Sequence, residues 1–203
     1  MKKGLLIGIL IAAIAAIGIM ISAGAFKQKV KNDIAHTPWA ISAMSNPSGT
    51  IILVEFVDYA CPYCDQFSPI LDEAVKDDPT LNILIRPVAL LGDESEQIAS
   101  LIIAAADFNH ALTLHRAIIS RIEAPSVATT LDEAKKLGID INELQKIAAS
   151  DKVNKTLRIN KAVHKALGFK GIPALLINNT PYNLSDGMPN AARLKQIIKE
   201  RQP

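Results

Sequence analysis

Apolar positions fall into three patterns along this chain. The first is an unbroken block over residues 4–26, dominated by Ile, Leu and Ala and free of charge. The second is a set of short apolar runs. Thr50 to Val57 is rich in β-branched residues and predicts a buried strand. Leu81 to Val88 alternates and then turns apolar, predicting another, and Ala174 to Ile177 predicts a third. The third pattern is helical spacing. It covers Asp65 to Val75 directly after the first strand, which with the next strand makes a βαβ unit. It returns over Ser95 to Phe108 and His110 to Ile122.

Local signals punctuate these patterns. Thr130-Leu131-Asp132-Glu133 has capping-box form, and Asp140 with Glu143 repeats it. Ser150 caps a segment that runs to Leu167 and stops at Gly168. Asn178-Asn179 predicts a turn into a short hairpin partner near Pro181 to Leu184, and Pro189 or Asn190 opens a closing helix to about Arg201. Between the apolar block and the first strand, residues 27–48 read as a linker. Within it Trp39 to Met44 fits a short strand or a helical turn, and Asn46-Pro47-Ser48-Gly49 is turn chemistry. The helical stretch from about 93 to 167 is far longer than a crossover needs, and its apolar faces read as core. Residues 49–203 therefore read as one α/β domain with a helical insertion.

The block at 4–26 is long enough to span a bilayer as a helix. Ala23-Gly24-Ala25 also has the small-x-small form of a signal cleavage site, so anchor and cleaved signal both fit. Either sends the remainder out of the cytoplasm. Charge adds an exclusion. The chain carries 22 Lys+Arg against 20 Asp+Glu, and Lys2 and Lys3 account for the difference. The rest is formally neutral and poor in aromatics, which argues against a nucleic-acid partner. Arg86, inside a predicted strand, reads as a surface cation or the partner of a nearby acid.

The chain has two cysteines, in Cys61-Pro62-Tyr63-Cys64, at the junction of the first strand and its helix. Pro62 suits a first helical position, which needs no N–H donor. Spacing i, i+3 puts both sulfurs on one side of the helix. Cys61 would face the free N–H groups and positive end of the helix, which favour a thiolate. Cys64, one turn in, would be more buried. That asymmetry suits a nucleophile and a resolving thiol. A static bridge closing so short a loop would add little stability. A structural zinc site would need more ligands. His110 and His115 share no helix face, and His36 and His164 stand alone. A static disulfide and a copper- or zinc-handling thiolate pair remain the alternatives. Glu55, six residues before Cys61, is flanked by Val54 and Phe56. Buried there, its carboxyl would have a raised pKa and could accept the proton of Cys64. At a strand end facing solvent it would have no such part.

Val54-Glu55-Phe56-Val57-Asp58-Tyr59-Ala60-Cys61-Pro62-Tyr63-Cys64 resembles the active-site strand and helix start of DsbA-like disulfide oxidoreductases of the thioredoxin superfamily. Ser68-Pro69-Ile70-Leu71-Asp72-Glu73 resembles the run after the cysteines of thioredoxin, and Gly171-Ile172-Pro173-Ala174-Leu175-Leu176-Ile177 resembles the family's cis-proline strand. Asn46-Pro47 and residues 87–95 also follow the DsbA-like pattern. The resemblance implies a thioredoxin-like fold with a helical insertion, here preceded by an N-terminal hydrophobic helix. It implies a redox-active Cys61–Cys64 disulfide with no metal or other cofactor, and an acid at Glu55. It implies a cis bond before Pro173, with the Ile172 backbone offered to substrate. Pro62 and Tyr63 would tune the pair. They lack the histidine of the strongly oxidising members, which implies a milder oxidant, with a disulfide reductase or isomerase of the same family as the alternative. The expected partners are unfolded or cysteine-containing proteins of a bacterial periplasm or cell envelope. A membrane redox partner that resets the pair is also expected.

Overall fold

The structure is a computed structural model that describes residues 41–42, 49–121, 123–184 and 187–201. The apolar block at 4–26 and most of the 27–48 linker lie outside the described residues. Among those described, no helix is long and apolar enough to cross a membrane.

Among the described residues, five strands form one mixed sheet in the order β1-β3-β2-β4-β5. They are β1 (Ile41–Ser42), β2 (Ile51–Val57), β3 (Leu81–Pro87), β4 (Ala174–Ile177) and β5 (Thr180–Asn183). Strands β2 and β3 are parallel, joined by helix α1 (Pro62–Val75). Strands β1, β4 and β5 each run antiparallel to their neighbour. Asn178 and Asn179, both with left-handed φ, make the two-residue turn of the β4–β5 hairpin. Gly49 is required at the start of β2, because a Cβ there would lie 2.7 Å from the Leu81 carbonyl carbon.

Between β3 and β4 lie α2 (Asp93–Ala104), a 3-10 turn (Ala105–Phe108), α3 (Ala111–Ile119), α4 (Val127–Lys136), α5 (Ile141–Ala148) and α6 (Asp151–Ala166). Helix α7 (Ala191–Lys199) closes the chain. Asp140, Ser150 and Asn190 cap α5, α6 and α7 through their side chains, and Gly168 ends α6 with φ +78°. Two expectations need correcting. Helix α4 starts three residues before Thr130, because Ser126 and Thr129 form the reciprocal capping box and Thr130 is buried. Arg86 is fully buried rather than at the surface. Its guanidinium donates to Asn160 Oδ1 at 2.8 Å, and Asn160 in turn donates to the Pro87 carbonyl.

Strand alternation sorts the core. Ile51 and Leu53 pack with Phe67 and Leu71 of α1, Leu175 and Ile177 of β4, and Leu194 of α7. Farther along the same face, Val57 joins a second cluster with Cys61, Cys64, Ile85 and the insertion helices, including Ile98, Ile102, Leu114 and Ile118. Glu55 lies on that face between the two clusters. On the opposite face Phe56 packs against Phe169 and His164. The insertion thus shares its core with the end of β2, where the cysteines sit.

Candidate active site

Cys61 is the N-cap of α1 and Pro62 its first residue, so the strand ends and the helix begins around the cysteine pair. The Cys61 carbonyl accepts from the Cys64 N–H at 3.0 Å, closing the first turn. Cys61 keeps 6% of its surface exposed and Cys64 none, and both are free thiols. The Cys64 thiol, donating to the Cys61 sulfur, holds the Cys61 pKa down to about 6 from 9.0. The N–H groups of Cys64 and Tyr63 add to the effect, while burial and Asp58 oppose it. The same contact, with burial, pushes Cys64 far up. One sulfur is suited to be a thiolate at neutral pH and the other to remain a thiol.

Glu55 is buried, in register with Ile85 on one side and Leu175 on the other. Its Oε1 has no hydrogen-bond partner. Burial, with Asp72 adding a like charge, raises its pKa to about 8. It also acts electrostatically on Cys64. The Ile172–Pro173 bond is cis, and the Ile172 carbonyl lies 3.8 Å from Cys61 Sγ. Tyr63 is exposed beside a cleft of about 370 Å³ that Gln66, Ile172, Pro173, Leu184 and Met188 also line. All seven residues singled out from sequence therefore lie at one end of the sheet. A cleft of about 450 Å³ within the insertion, lined by Asp93, Glu96 and Gln145 among others, includes none of them.

Four neighbours of the pair had no role assigned from sequence. Asp58 is fully buried and collects four donors: the N–H groups of Ala60, Leu90 and Leu91 and the Ser95 hydroxyl. Tyr59 hydroxyl and His115 Nδ1 are 2.9 Å apart and both buried, tying the active-site loop to α3. Burial lowers the His115 pKa to about 3, so the ring is neutral. His164 of α6 bonds the Gly171 carbonyl at 3.0 Å, supporting the loop before Pro173. Asp58 and Tyr59 stand between a buried strand and the cysteine pair, and that position was a usable signal. The two histidines gave none. Among the described residues, no group of three or more His, Cys, Asp or Glu could hold a metal ion.

The model of the DSBA-like thioredoxin domain matches residues 52–199, which contain every one of these groups. The chain belongs to that family. It is accordingly a protein thiol:disulfide oxidoreductase, working through a redox-active cysteine pair. Solved structures agree. A thioredoxin-like oxidoreductase from Silicibacter pomeroyi superposes with a TM-score of 0.74 at 25% identity, over 81% of this chain and 92% of that one. The catalytic domain of Proteus mirabilis ScsC matches with a TM-score of 0.73 at 25% identity, over 87% and 97%. The thiol-disulfide exchange protein alpha-DsbA2 from Wolbachia pipientis shares the fold, with a TM-score of 0.74 at 22% identity over 89% and 97%. No curated protein matches the chain.

Proposed function

We propose that this family member is an oxidase of moderate strength that donates its Cys61–Cys64 disulfide to proteins of a bacterial envelope. The observation that carries the direction is the thiol asymmetry. A Cys61 pKa of about 6 favours the reduced form of the pair, and a protein that is comfortable reduced is an oxidant. The location outside the cytoplasm follows from the apolar block at 4–26, as anchor or signal. Disulfides form and persist there.

The exchange runs as follows. A substrate thiolate attacks Cys61 Sγ and the Sγ–Sγ bond breaks, leaving Cys64 as a thiolate, which takes a proton from Glu55. The substrate's second thiolate then attacks its own sulfur in the mixed disulfide and expels Cys61 as a thiolate. The substrate loses two electrons and two protons, the pair gains the two electrons, and a membrane redox partner reoxidises it. In the reverse direction Glu55 accepts the proton of Cys64. Ile172 offers its main chain to an extended substrate segment, with Pro173 holding that turn against Cys61. Pro62 and Tyr63 set the poise. The exposed apolar side chains of Tyr63, Leu90 and Leu91 suit unfolded protein substrates.

Trapping tests this. Cys64→Ala incubated with an unfolded, disulfide-bonded protein should accumulate a mixed disulfide through Cys61, and Cys61→Ala should accumulate none. The oxidised wild type should also introduce a disulfide into a reduced two-cysteine peptide. Adducts on Cys64 in the Cys61→Ala protein would reverse the assignment.

A further inference from the structure

Asp58 lies three residues before Cys61, and its side chain ties three parts of the fold together. Oδ1 accepts from the Ala60 N–H at 2.9 Å and from the hydroxyl of Ser95 in the first turn of α2. Oδ2 accepts from the N–H of Leu90 and, at 3.0 Å, that of Leu91. The Asp58 main-chain carbonyl accepts from the Cys61 N–H at 3.1 Å. The turn it holds includes Ala89 at φ +46° and Gly92 at φ +110°. Four donors and no acceptor suit a carboxylate, which only accepts. The group is fully buried, away from bulk solvent. Its field on the neighbouring sulfur is therefore weakly screened.

We propose that Asp58 is a positioning residue that sets the redox poise of the cysteine pair, its buried charge working against the Cys61 thiolate to a degree fixed by the donors around it. This rests on the exchange reading above. The sign follows from charge. The reduced form places a thiolate at Cys61, and a nearby anion destabilises it. The disulfide form carries no charge there. Asp58 thus weakens the protein as an oxidant, and each donor on the carboxylate relieves part of that effect. The other groups facing the pair are unchanged by a substitution at Asp58 or Ser95. They are the Cys64 thiol and the first-turn N–H groups on α1, and Glu55 on β2. The Tyr59 hydroxyl, bonded to His115 of α3, and the Ile172 carbonyl complete the set.

Two substitutions separate charge from structure because they act in opposite directions. Asp58→Asn removes the charge, and Ser95→Ala removes a donor while leaving the charge. Each is measured by the thiolate absorbance of the reduced protein against pH and by equilibrium with glutathione. Asp58→Asn should lower the Cys61 titration midpoint and favour the reduced form by about threefold or more in the equilibrium constant. Ser95→Ala should raise the midpoint and move the constant the other way, and Ser95→Thr should restore wild-type values. If Asp58→Asn does not fold, the Ser95 pair decides. A purely structural role would change the stability of both redox forms equally and leave the constant unmoved. That result, or shifts of the same sign in both variants, would overturn the proposal. A wild-type pair that fails to equilibrate with glutathione would instead overturn the exchange reading, and this proposal with it.

Discussion

Glu55 is the residue whose environment conflicts most with its chemistry. A carboxyl in a strand interior, between Ile85 and Leu175 and with one oxygen unpartnered, is costly to ionise. Its pKa rises from 4.5 to about 8, so between those values the folded protein binds more protons than the unfolded chain. Stability must then fall as pH rises through that window, by at most about 1.4 kcal/mol per pH unit, and level off above it. Glu55→Gln should flatten this slope in denaturant unfolding and leave the protein more stable at pH 8. When the reduced pair attacks a substrate disulfide, Glu55→Gln should also slow release of the mixed disulfide more than its formation, since there the carboxylate accepts the proton of Cys64. An unchanged slope would mean that Glu55 is already solvated. Glu55 was legible because it stands within an apolar run at a fixed distance from Cys61. Asp58 and Tyr59 were visible but had no legible role, since their partners Ser95 and His115 lie 37 and 56 residues away. Nothing in one sequence pairs residues at such separations.

Elements were legible where one signal dominated. Strands β2 and β3 are buried on both faces and read as apolar runs, and Pro62 marked the start of α1. The start of α4 was missed because two capping patterns overlap within a few residues. Thr130 and Glu133 have the expected types, yet Ser126 lies where the chain leaves Pro125 in extended geometry. Thr129 supplies the reciprocal bond, its hydroxyl accepting from the Ser126 N–H at 2.9 Å. Thr130 donates its hydroxyl to the Ser126 carbonyl at 2.8 Å instead. Ser126→Ala should therefore lower stability by about 1 kcal/mol in denaturant unfolding. Thr129 would lose its N–H acceptor. The Cys61 titration should not move, because the hydrogen bonds of the Ser126 side chain lie within its own cap. An equal loss of stability from Glu133→Ala would instead favour the cap expected at Thr130.

At the scale of the whole molecule, the insertion is part of the active site rather than an addition beside it. Helices α2, α3 and α6 reach the cysteine region through Ser95, His115 and His164. The buried Arg86–Asn160 pair locks α6 to the sheet. The sequence pattern showed that this helical mass exists, but not which of its polar side chains turn inward. Arg86 illustrates why. A charged residue in a strand reads as exposed until a partner from another element is known.

The redox direction is also a property of the whole molecule, since it is the difference in stability between two forms of one fold. It is measured by equilibrating the protein across a series of glutathione ratios, trapping free thiols and quantifying the Cys61–Cys64 disulfide. A moderate oxidase should show one two-electron transition between about −180 and −120 mV, the range of protein disulfide isomerase and DsbA, absent from Cys61→Ala and Cys64→Ala. A transition near −270 mV, the value typical of thioredoxin, would make the protein a reductase and contradict the oxidase assignment.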